Sequence, residues 1–258
     1  MSSFIEHTVQ KAAIAWLQQL GYTYKEGNSL NRDLKKIVLE EDLRTFLQTT
    51  YPKVPATAIN EAMAAFTQHE GMDTDHRNRD FHRKMTQGHT VTWKDANGNE
   101  HARHLYPINY QEQQKNNFIC ADEVTIIGKN TRRTDLLIFI NGLPVIVFEF
   151  KNMFDQEVDI DNAHGQIGHY LLDIPQLFDY NAITVVSDGM KALHGMYNSA
   201  LEWFAPWKSL HGDNIEQAQE LQLETLLNGL FPKKILVDYL HNFIFHEDHN
   251  GKIILQMY

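Results

Sequence analysis

The chain has 258 residues, of which 43% are hydrophobic and 22% are charged, and this composition is typical of a globular protein. Its single cysteine, Cys120, excludes an internal disulfide and a cysteine-based zinc site, and with no signal-peptide pattern at the start it predicts a cytoplasmic location. A net charge of −10 excludes a broad electrostatic attraction to nucleic acid. No apolar run approaches the roughly 20 residues that span a bilayer, so no membrane partner is expected.

The N-terminal part of the chain has apolar residues at helical spacing, which predict helices over 4–20, 40–49 and 55–68. Glu6 lies in the first turn of the first helix, where the helix dipole favours an acidic side chain. This local role is the simpler interpretation of Glu6. The alternative, that Glu6 contributes to a metal site, depends on the family resemblance given below.

A dense basic run, HRNRDFHRK, occupies positions 76–84. A solvated helix face is the usual role of such a run. The alternative is a surface that contacts phosphate groups or another subunit. Its cations are Arg77, Arg79, Arg83 and Lys84.

Strand patterns follow. Segments 89–95 and 100–106 flank Asn97-Gly98, and this dipeptide predicts a β-hairpin. We expect a further strand from Phe118 to Ile127. The loop after it contains Lys129, Arg132 and Arg133, and a basic loop beside a metal site would contact the phosphates of a scissile strand.

The centre of the chain is TDLLIFINGLPVIVFEFK, two apolar strands that span 134–151. We expect a three-residue loop, Asn141-Gly142-Leu143, because this register places Asp135 opposite Glu149. A two-residue loop at Asn141-Gly142 would put Glu149 on the other face. Glu149 and Lys151 are two residues apart and share one face. The pattern therefore predicts that two carboxylates and one ammonium group converge at the end of the sheet.

This group of charges has two interpretations. Two carboxylates repel each other unless a cation lies between them, and an oxygen-only ligand set suits Mg²⁺. A neighbouring lysine can orient and help deprotonate water and offset charge on a phosphoryl group, so metal-assisted phosphodiester hydrolysis is one interpretation. The other is that Asp135 caps a strand while Glu149 and Lys151 form an ordinary surface ion pair.

The remaining elements carry less chemistry. A helix is predicted over 162–173, where Gln166 and Tyr170 share one face. The other predictions are strands at 182–187, 193–197 and 252–258, helices at 215–228 and 231–245, and a polar turn rather than a metal cluster at 246–249.

The run RRTDLLIFINGLPVIVFEFKN resembles the nuclease motif of the PD-(D/E)XK superfamily, and specifically the N-terminal part of the restriction (R) subunit of type I restriction-modification enzymes. The resemblance rests on Asp135-Leu136, Phe139, the Asn141–Pro144 turn and Glu149-Phe150-Lys151. Downstream, Gln166 and Tyr170 match the Q-x-x-x-Y element of nucleases related to RecB-like enzymes. Thr134 stands where proline is common, and the chemistry does not require that proline.

The resemblance implies a restriction-endonuclease-like α/β domain over 1–200, with a central mixed sheet flanked by helices. It implies a mostly helical extension at 201–258 that leads to an ATP-dependent translocase beyond this chain. The site residues that it implies are Asp135 and Glu149 as Mg²⁺ ligands, Lys151 to activate water, and Gln166, Tyr170 and Glu6 in support.

The same resemblance implies double-stranded DNA as the substrate, and the methyltransferase (M) and specificity (S) subunits as partners. ATP would serve only the motor, because this chain has no P-loop pattern. Two alternatives come from other classes of function. One is a RecB-like repair nuclease, and the other is a non-catalytic scaffold that binds DNA or partner subunits.

Overall fold

The structure is a computed structural model that describes residues 2–151, 160–210, 221–249 and 252–257. The helices are α1 (Ser2–Gln19), α2 (Glu40–Thr50), α3 (Ala56–Thr67), α4 (Thr74–Gln87), α5 (Ile160–Asp173), α6 (Gln222–Leu230) and α7 (Lys233–Asn242). The strands are β1 (Thr23–Glu26), β2 (His89–Lys94), β3 (Glu100–Leu105), β4 (Phe118–Ile127), β5 (Thr131–Ile140), β6 (Leu143–Phe150), β7 (Ile183–Ser187), β8 (Ala192–Gly195), β9 (Ile244–His249) and β10 (Lys252–Met257).

A mixed six-stranded sheet in the order β1-β4-β5-β6-β7-β8 forms the centre of the fold. The β4-β5-β6 meander and the β7-β8 pair are antiparallel, whereas β1 pairs in parallel with β4 and β6 with β7. A parallel pair needs a crossover connection, and α5 lies in the connection between β6 and β7. The fold is thus α/β, restriction-endonuclease-like, with a mixed central sheet flanked by helices, as expected from the sequence.

Helices cover both faces of the sheet. Phe148 packs against Phe231 at the α6–α7 junction, with ring centroids 5.4 Å apart, whereas the neighbouring Glu149 contacts Tyr170 of α5. Because adjacent residues of a strand point to opposite faces, α5 and the α6–α7 junction lie on opposite sides of the sheet. Every residue of β6 is buried between these layers, which explains why the β6 sequence is almost entirely apolar.

Several sequence predictions need correction. Positions 246–249, predicted as a polar turn, form part of β9, where His246 and Glu247 pair with the apolar residues Leu255 and Ile254 of β10. Pairing with this neighbour overrides the polar local sequence. The edge strand β1 was missed because TYKE has only four residues and no apolar alternation.

The C-terminal part is less helical than predicted. Helix α7 ends at Asn242, and the β9–β10 hairpin follows it. The start of the helix predicted at 215–228 falls outside the described residues. No helix within the described ranges combines the length and apolar character needed to cross a bilayer. The predicted domain boundary at residue 200 stays a prediction.

Candidate active site

The turn between β5 and β6 differs from the expected three-residue loop. Ile140 pairs with Leu143, so the turn is the two residues Asn141 and Gly142, with φ angles of 51° and 85°. Positive φ at both positions is the signature of the tight type I′ hairpin turn. By itself, this turn would leave Glu149 out of register with Asp135.

A β-bulge restores the predicted register. Phe139 pairs with Pro144 and Ile138 with Ile146, so Val145 is an extra residue in β6. Pro144 cannot donate a backbone hydrogen bond, and such positions are common at bulges. Beyond the bulge Leu136 pairs with Phe148, which places Asp135 across from Glu149. The predicted register is therefore present, but the predicted loop length was wrong.

Asp135 is held in place by backbone hydrogen bonds on two sides. The backbone N–H of Phe150 donates to Asp135 Oδ2 at 2.7 Å. From α1, Gln10 Nε2 donates to the Asp135 carbonyl oxygen at 3.0 Å. Asp135 is half-buried, and these contacts orient its carboxylate at the end of the sheet.

Glu149 is a buried carboxyl group with only 3% of its surface exposed. Lys151 Nζ lies 2.7 Å from its Oε1, and the Tyr170 hydroxyl lies 2.9 Å from its Oε2. Burial, followed by the charge of Asp135, raises the pKa of Glu149 to about 8, although Lys151 and Tyr170 act in the opposite direction. In the absence of a bound metal ion, this carboxyl group therefore keeps its proton to a higher pH than an exposed glutamate does.

Tyr170 connects Glu149 to the start of β5. Its hydroxyl lies 2.9 Å from Glu149 Oε2 and 3.0 Å from the Arg133 carbonyl oxygen. A hydroxyl has only one hydrogen, so Tyr170 donates it to one of these two acceptors at a time or shares it between them. Burial and the Glu149 charge raise the pKa of Tyr170, so the phenol stays neutral, and a hydrogen bond with Gln166 opposes that rise.

The donor set of the site fits Mg²⁺. Its candidate ligands are the carboxylate oxygens of Asp135 and Glu149, and the described residues contain no group of three or more His, Cys, Asp or Glu side chains that could hold a metal. A site with two carboxylates suits a cation that keeps several of its own waters, as Mg²⁺ does. Glu6 belongs to α1, but its side chain lies outside the described residues.

The three cations predicted for the segment before Asp135 differ in their contacts, and the structure places Lys129 in the β4–β5 turn but Arg132 and Arg133 in β5. Arg132 Nε donates to Asp173 Oδ2 at 2.6 Å, which ties the start of β5 to the end of α5. Arg133 is exposed and lies 3.5 Å from Glu123. Lys129 is exposed as well. Of these three, Lys129 and Arg133 present exposed side chains close to Asp135 along the chain.

The cations of α4 do not reach the carboxylate site. Asn78 of α4 donates to the carbonyl oxygens of Phe178 and Asn181, just before β7 begins, whereas Phe150 pairs with Ser187 at the far end of β7. Five strand residues separate the two ends by roughly 15 Å. The α4 cations contact acidic side chains instead: Arg77 with Asp179, Arg79 with Asp248, and Arg83 and Lys84 with Asp80.

Two residues near the site escaped the sequence analysis. Gln10 donates a hydrogen bond to the Asp135 backbone. It follows Glu6 by about one helical turn, so helical spacing from Glu6 could have identified it in the sequence. Glu123 is in β4, where the pairs Asp122–Leu136 and Val124–Thr134 place it across from Asp135. No sequence pattern marked Glu123, because its proximity depends on the pairing of β4 with β5.

Comparisons with known proteins support the same region. A family model described as type I restriction enzyme R protein N terminus matches residues 4–202. The type I restriction enzyme HindI endonuclease subunit of Haemophilus influenzae is 29% identical over 262 residues, a match that covers 96% of this chain and 25% of that protein. A Methanocaldococcus jannaschii protein named "Putative type I restriction enzyme MjaIXP endonuclease subunit" is 29% identical over 279 residues, covering 98% of this chain and 26% of that protein.

The chain thus spans about a quarter of the length of these relatives. The family model covers well over half of the chain and includes Asp135, Glu149, Lys151 and α5. From its fold, from the strands that carry these carboxylates and from this match, the chain belongs to the family of type I restriction enzyme R protein N-terminal regions.

Proposed function

We propose that this chain is the Mg²⁺-dependent endonuclease module of a type I restriction enzyme, and that it hydrolyses phosphodiester bonds of double-stranded DNA. In this proposal the DNA is delivered by an ATP-driven translocase in a longer subunit, within a complex that includes M and S subunits. Support for this context comes from relatives about four times longer that are named as type I restriction endonuclease subunits.

The single observation that carries the catalytic part is the buried Glu149 carboxyl group beside Asp135. A surface ion pair would leave both partners in water, whereas Glu149 is 3% exposed and its pKa is raised to about 8. Burying a carboxylate beside another carboxylate is unfavourable, and Lys151 offsets this only in part, since the pKa of Glu149 remains raised. Such unfavourable placements are found at functional sites more often than elsewhere.

The residues have separate roles in the proposed reaction. Asp135 and Glu149 would hold Mg²⁺, which when bound lowers the pKa of water and offsets charge on the phosphoryl group. Lys151, fixed by its contact with Glu149, would orient the attacking water and balance negative charge at the phosphate. Tyr170, supported by Gln166, would hold the Glu149 carboxyl group in position.

Replacing Lys151 by alanine tests this assignment in the complete restriction complex on unmethylated DNA. We expect Lys151→Ala to reduce DNA cleavage by about a hundredfold to a thousandfold, because one charged group at the transition state is lost. ATP hydrolysis should be unchanged, since Lys151 lies outside any motor. A matched control is Lys115→Ala, which removes an exposed lysine that pairs with the exposed Glu112. Cleavage by Lys151→Ala at the parental rate would refute the catalytic role.

A further inference from the structure

Glu123 has an unusual backbone conformation in the middle of β4. Its φ angle is 48°, in the left-handed region that residues other than glycine adopt infrequently. The ladder with β5 continues on both sides of it, through Asp122 with Leu136 and Val124 with Thr134. Such conformations persist where the surrounding structure imposes them, and they are concentrated at functional sites. Glu123 is across the ladder from Asp135.

The Glu123 side chain contacts one of the cations near the site. Its Oε2 lies 3.5 Å from Arg133 Nη1, and the two side chains remain 49% and 64% exposed. An ion pair so open to water contributes little free energy, so another anion can replace Glu123 as the partner of Arg133. By contrast, Arg132 makes close contacts through both Nε and Nη2 with Asp173, whose side chain is 10% exposed.

Both residues of the pair line a groove of about 590 Å³ between α1 and the sheet. Lys11 of α1 is on the opposite wall, so the groove has permanent cations on both sides. Three carboxylates line it as well: Glu26, Asp122 and Glu123. With this balance of charge, the groove in its present state does not favour a polyanion.

We propose that Glu123 competes with DNA phosphate for Arg133 and thereby weakens DNA binding at the groove beside Asp135. The proposal rests on the nuclease function proposed above. Arg133 precedes Asp135 by two residues in β5, so a phosphate bound to Arg133 belongs to the strand that flanks the scissile bond. Because Glu123 competes for Arg133, the local concentration of DNA decides whether phosphate binds there. DNA held at the site by other subunits displaces Glu123, whereas freely diffusing DNA is too dilute to do so.

The test compares DNA binding by Glu123→Gln with the parental chain, without Mg²⁺ so that no cleavage occurs. Fluorescence anisotropy would follow a labelled duplex of about 20 base pairs across a salt series that starts near 20 mM. We expect Glu123→Gln to bind roughly twofold to fivefold more tightly at low salt, the range set by one exposed ion pair. The slope of log affinity against log salt should steepen by about 0.9, the value for one more phosphate contact.

Two further sets of variants separate competition for Arg133 from a simple change in net charge. Glu112→Gln removes the same charge from another exposed ion pair, that with Lys115, and should leave the salt slope unchanged. In the double variant Glu123→Gln/Arg133→Ala the gain in affinity should disappear. Glu123→Gly removes the same carboxylate, and glycine adopts a positive φ without strain. It should therefore reproduce the gain in DNA affinity. This second variant keeps the test valid if Glu123→Gln fails to fold.

Three outcomes would overturn the proposal. The gain could equal that of Glu112→Gln, it could persist without Arg133, or no variant could bind duplex DNA even at the lowest salt. None of these outcomes depends on catalysis. Failure of the nuclease function would appear separately, as undiminished cleavage by Lys151→Ala in the complete complex.

Discussion

Among individual residues, Glu149 combines the chemistry of the site with a direct effect on stability. Its folded-state pKa of about 8 lies above the ordinary value of 4.5. Between these two values the unfolded chain releases the Glu149 proton and the folded chain keeps it. The unfolded state then binds fewer protons, so the free energy of unfolding falls as pH rises through this range. Without a bound metal ion, ionisation of this carboxyl group therefore destabilises the fold, even with Lys151 beside it.

We therefore expect Glu149→Gln to raise the melting temperature of the chain in EDTA at pH 8 by roughly 3 °C or more, since glutamine keeps the shape without the ionisation. Mg²⁺ should raise the melting temperature of the parental chain but not that of Glu149→Gln, which lacks one proposed ligand. Thermal unfolding followed by circular dichroism measures both effects. Glu112→Gln, an exposed substitution, is the control. A Mg²⁺ shift that survives in Glu149→Gln would place the metal elsewhere.

For the secondary-structure elements, the β5–β6 turn determines how the hairpin docks. The Gly142 carbonyl oxygen accepts a hydrogen bond from Leu39 N–H at 2.9 Å, just before α2 begins. A Cβ atom at Gly142 would lie 2.3 Å from the Leu39 carbonyl oxygen. Two features therefore require glycine at this position: the positive φ of 85° and the close approach of the Leu39 backbone.

The β2–β3 turn offers a matched control for this contact. Gly98 has a similar φ of 83°, but a Cβ atom there would meet no heavy atom within 4 Å. We expect Gly98→Ala to lower the free energy of unfolding by about 1 kcal/mol, the strain of a left-handed alanine. Gly142→Ala should lower it by about 3 kcal/mol or more, because backbone atoms must also move. Urea unfolding of both variants measures the difference, and equal losses would argue against the tight docking of the turn.

The same hairpin shows what the sequence could and could not reveal. Local patterns predicted the two apolar strands and a turn at Asn141-Gly142. They also predicted the strand register, in which Asp135 lies across from Glu149. The bulge at Val145 did not, because a bulge and a longer loop leave the same spacing in the sequence. Glu123 escaped notice because strand pairing, not sequence distance, brings it opposite Asp135.

The contacts of the basic segments could not be predicted from local sequence patterns either. For the run at 76–84 the sequence left two interpretations open, a solvated helix face and a surface for phosphate or another subunit, yet Arg77 and Arg79 contact acidic residues distant in sequence, Asp179 and Asp248. Charge partners of this kind become visible only when the tertiary structure is known. The sequence therefore predicted the site's carboxylates and lysine more readily than the state of the cations around them.

At the scale of the whole molecule, four poorly solvated histidines among the described residues link stability to pH. Burial lowers the pKa of His82 to about 3, and of His69, His194 and His246 to about 4. His82 and His246 join α4 to β9, with ring centroids 5.0 Å apart. Each folded-state pKa lies below the ordinary value of 6.5, so the folded chain keeps these rings neutral where the unfolded chain protonates them.

We expect the free energy of unfolding to fall as pH drops from about 6.5 to 4, because the unfolded state binds more protons in this window. Each such histidine contributes at most about 1.4 kcal/mol per pH unit, whereas the carboxyl groups of Glu149 and Asp179, whose pKa values burial raises, act with the opposite sign. Denaturant unfolding at several pH values measures the slope. His82→Gln should make it shallower, whereas His7→Gln, at an exposed position, should not. A flat profile across this range would contradict the burial of these rings.

The inserted Val145 also has an evolutionary consequence. A two-residue turn with one bulged residue gives the same spacing between the carboxylates as a three-residue loop without a bulge. Loss of one codon at Val145 would therefore rotate Glu149 and Lys151 to the opposite face, and a later insertion in the turn would bring them back. Turn length and bulge can thus exchange during divergence without moving the chemistry. Hairpins of distant relatives are best aligned outward from the paired carboxylates rather than from the Asn-Gly turn.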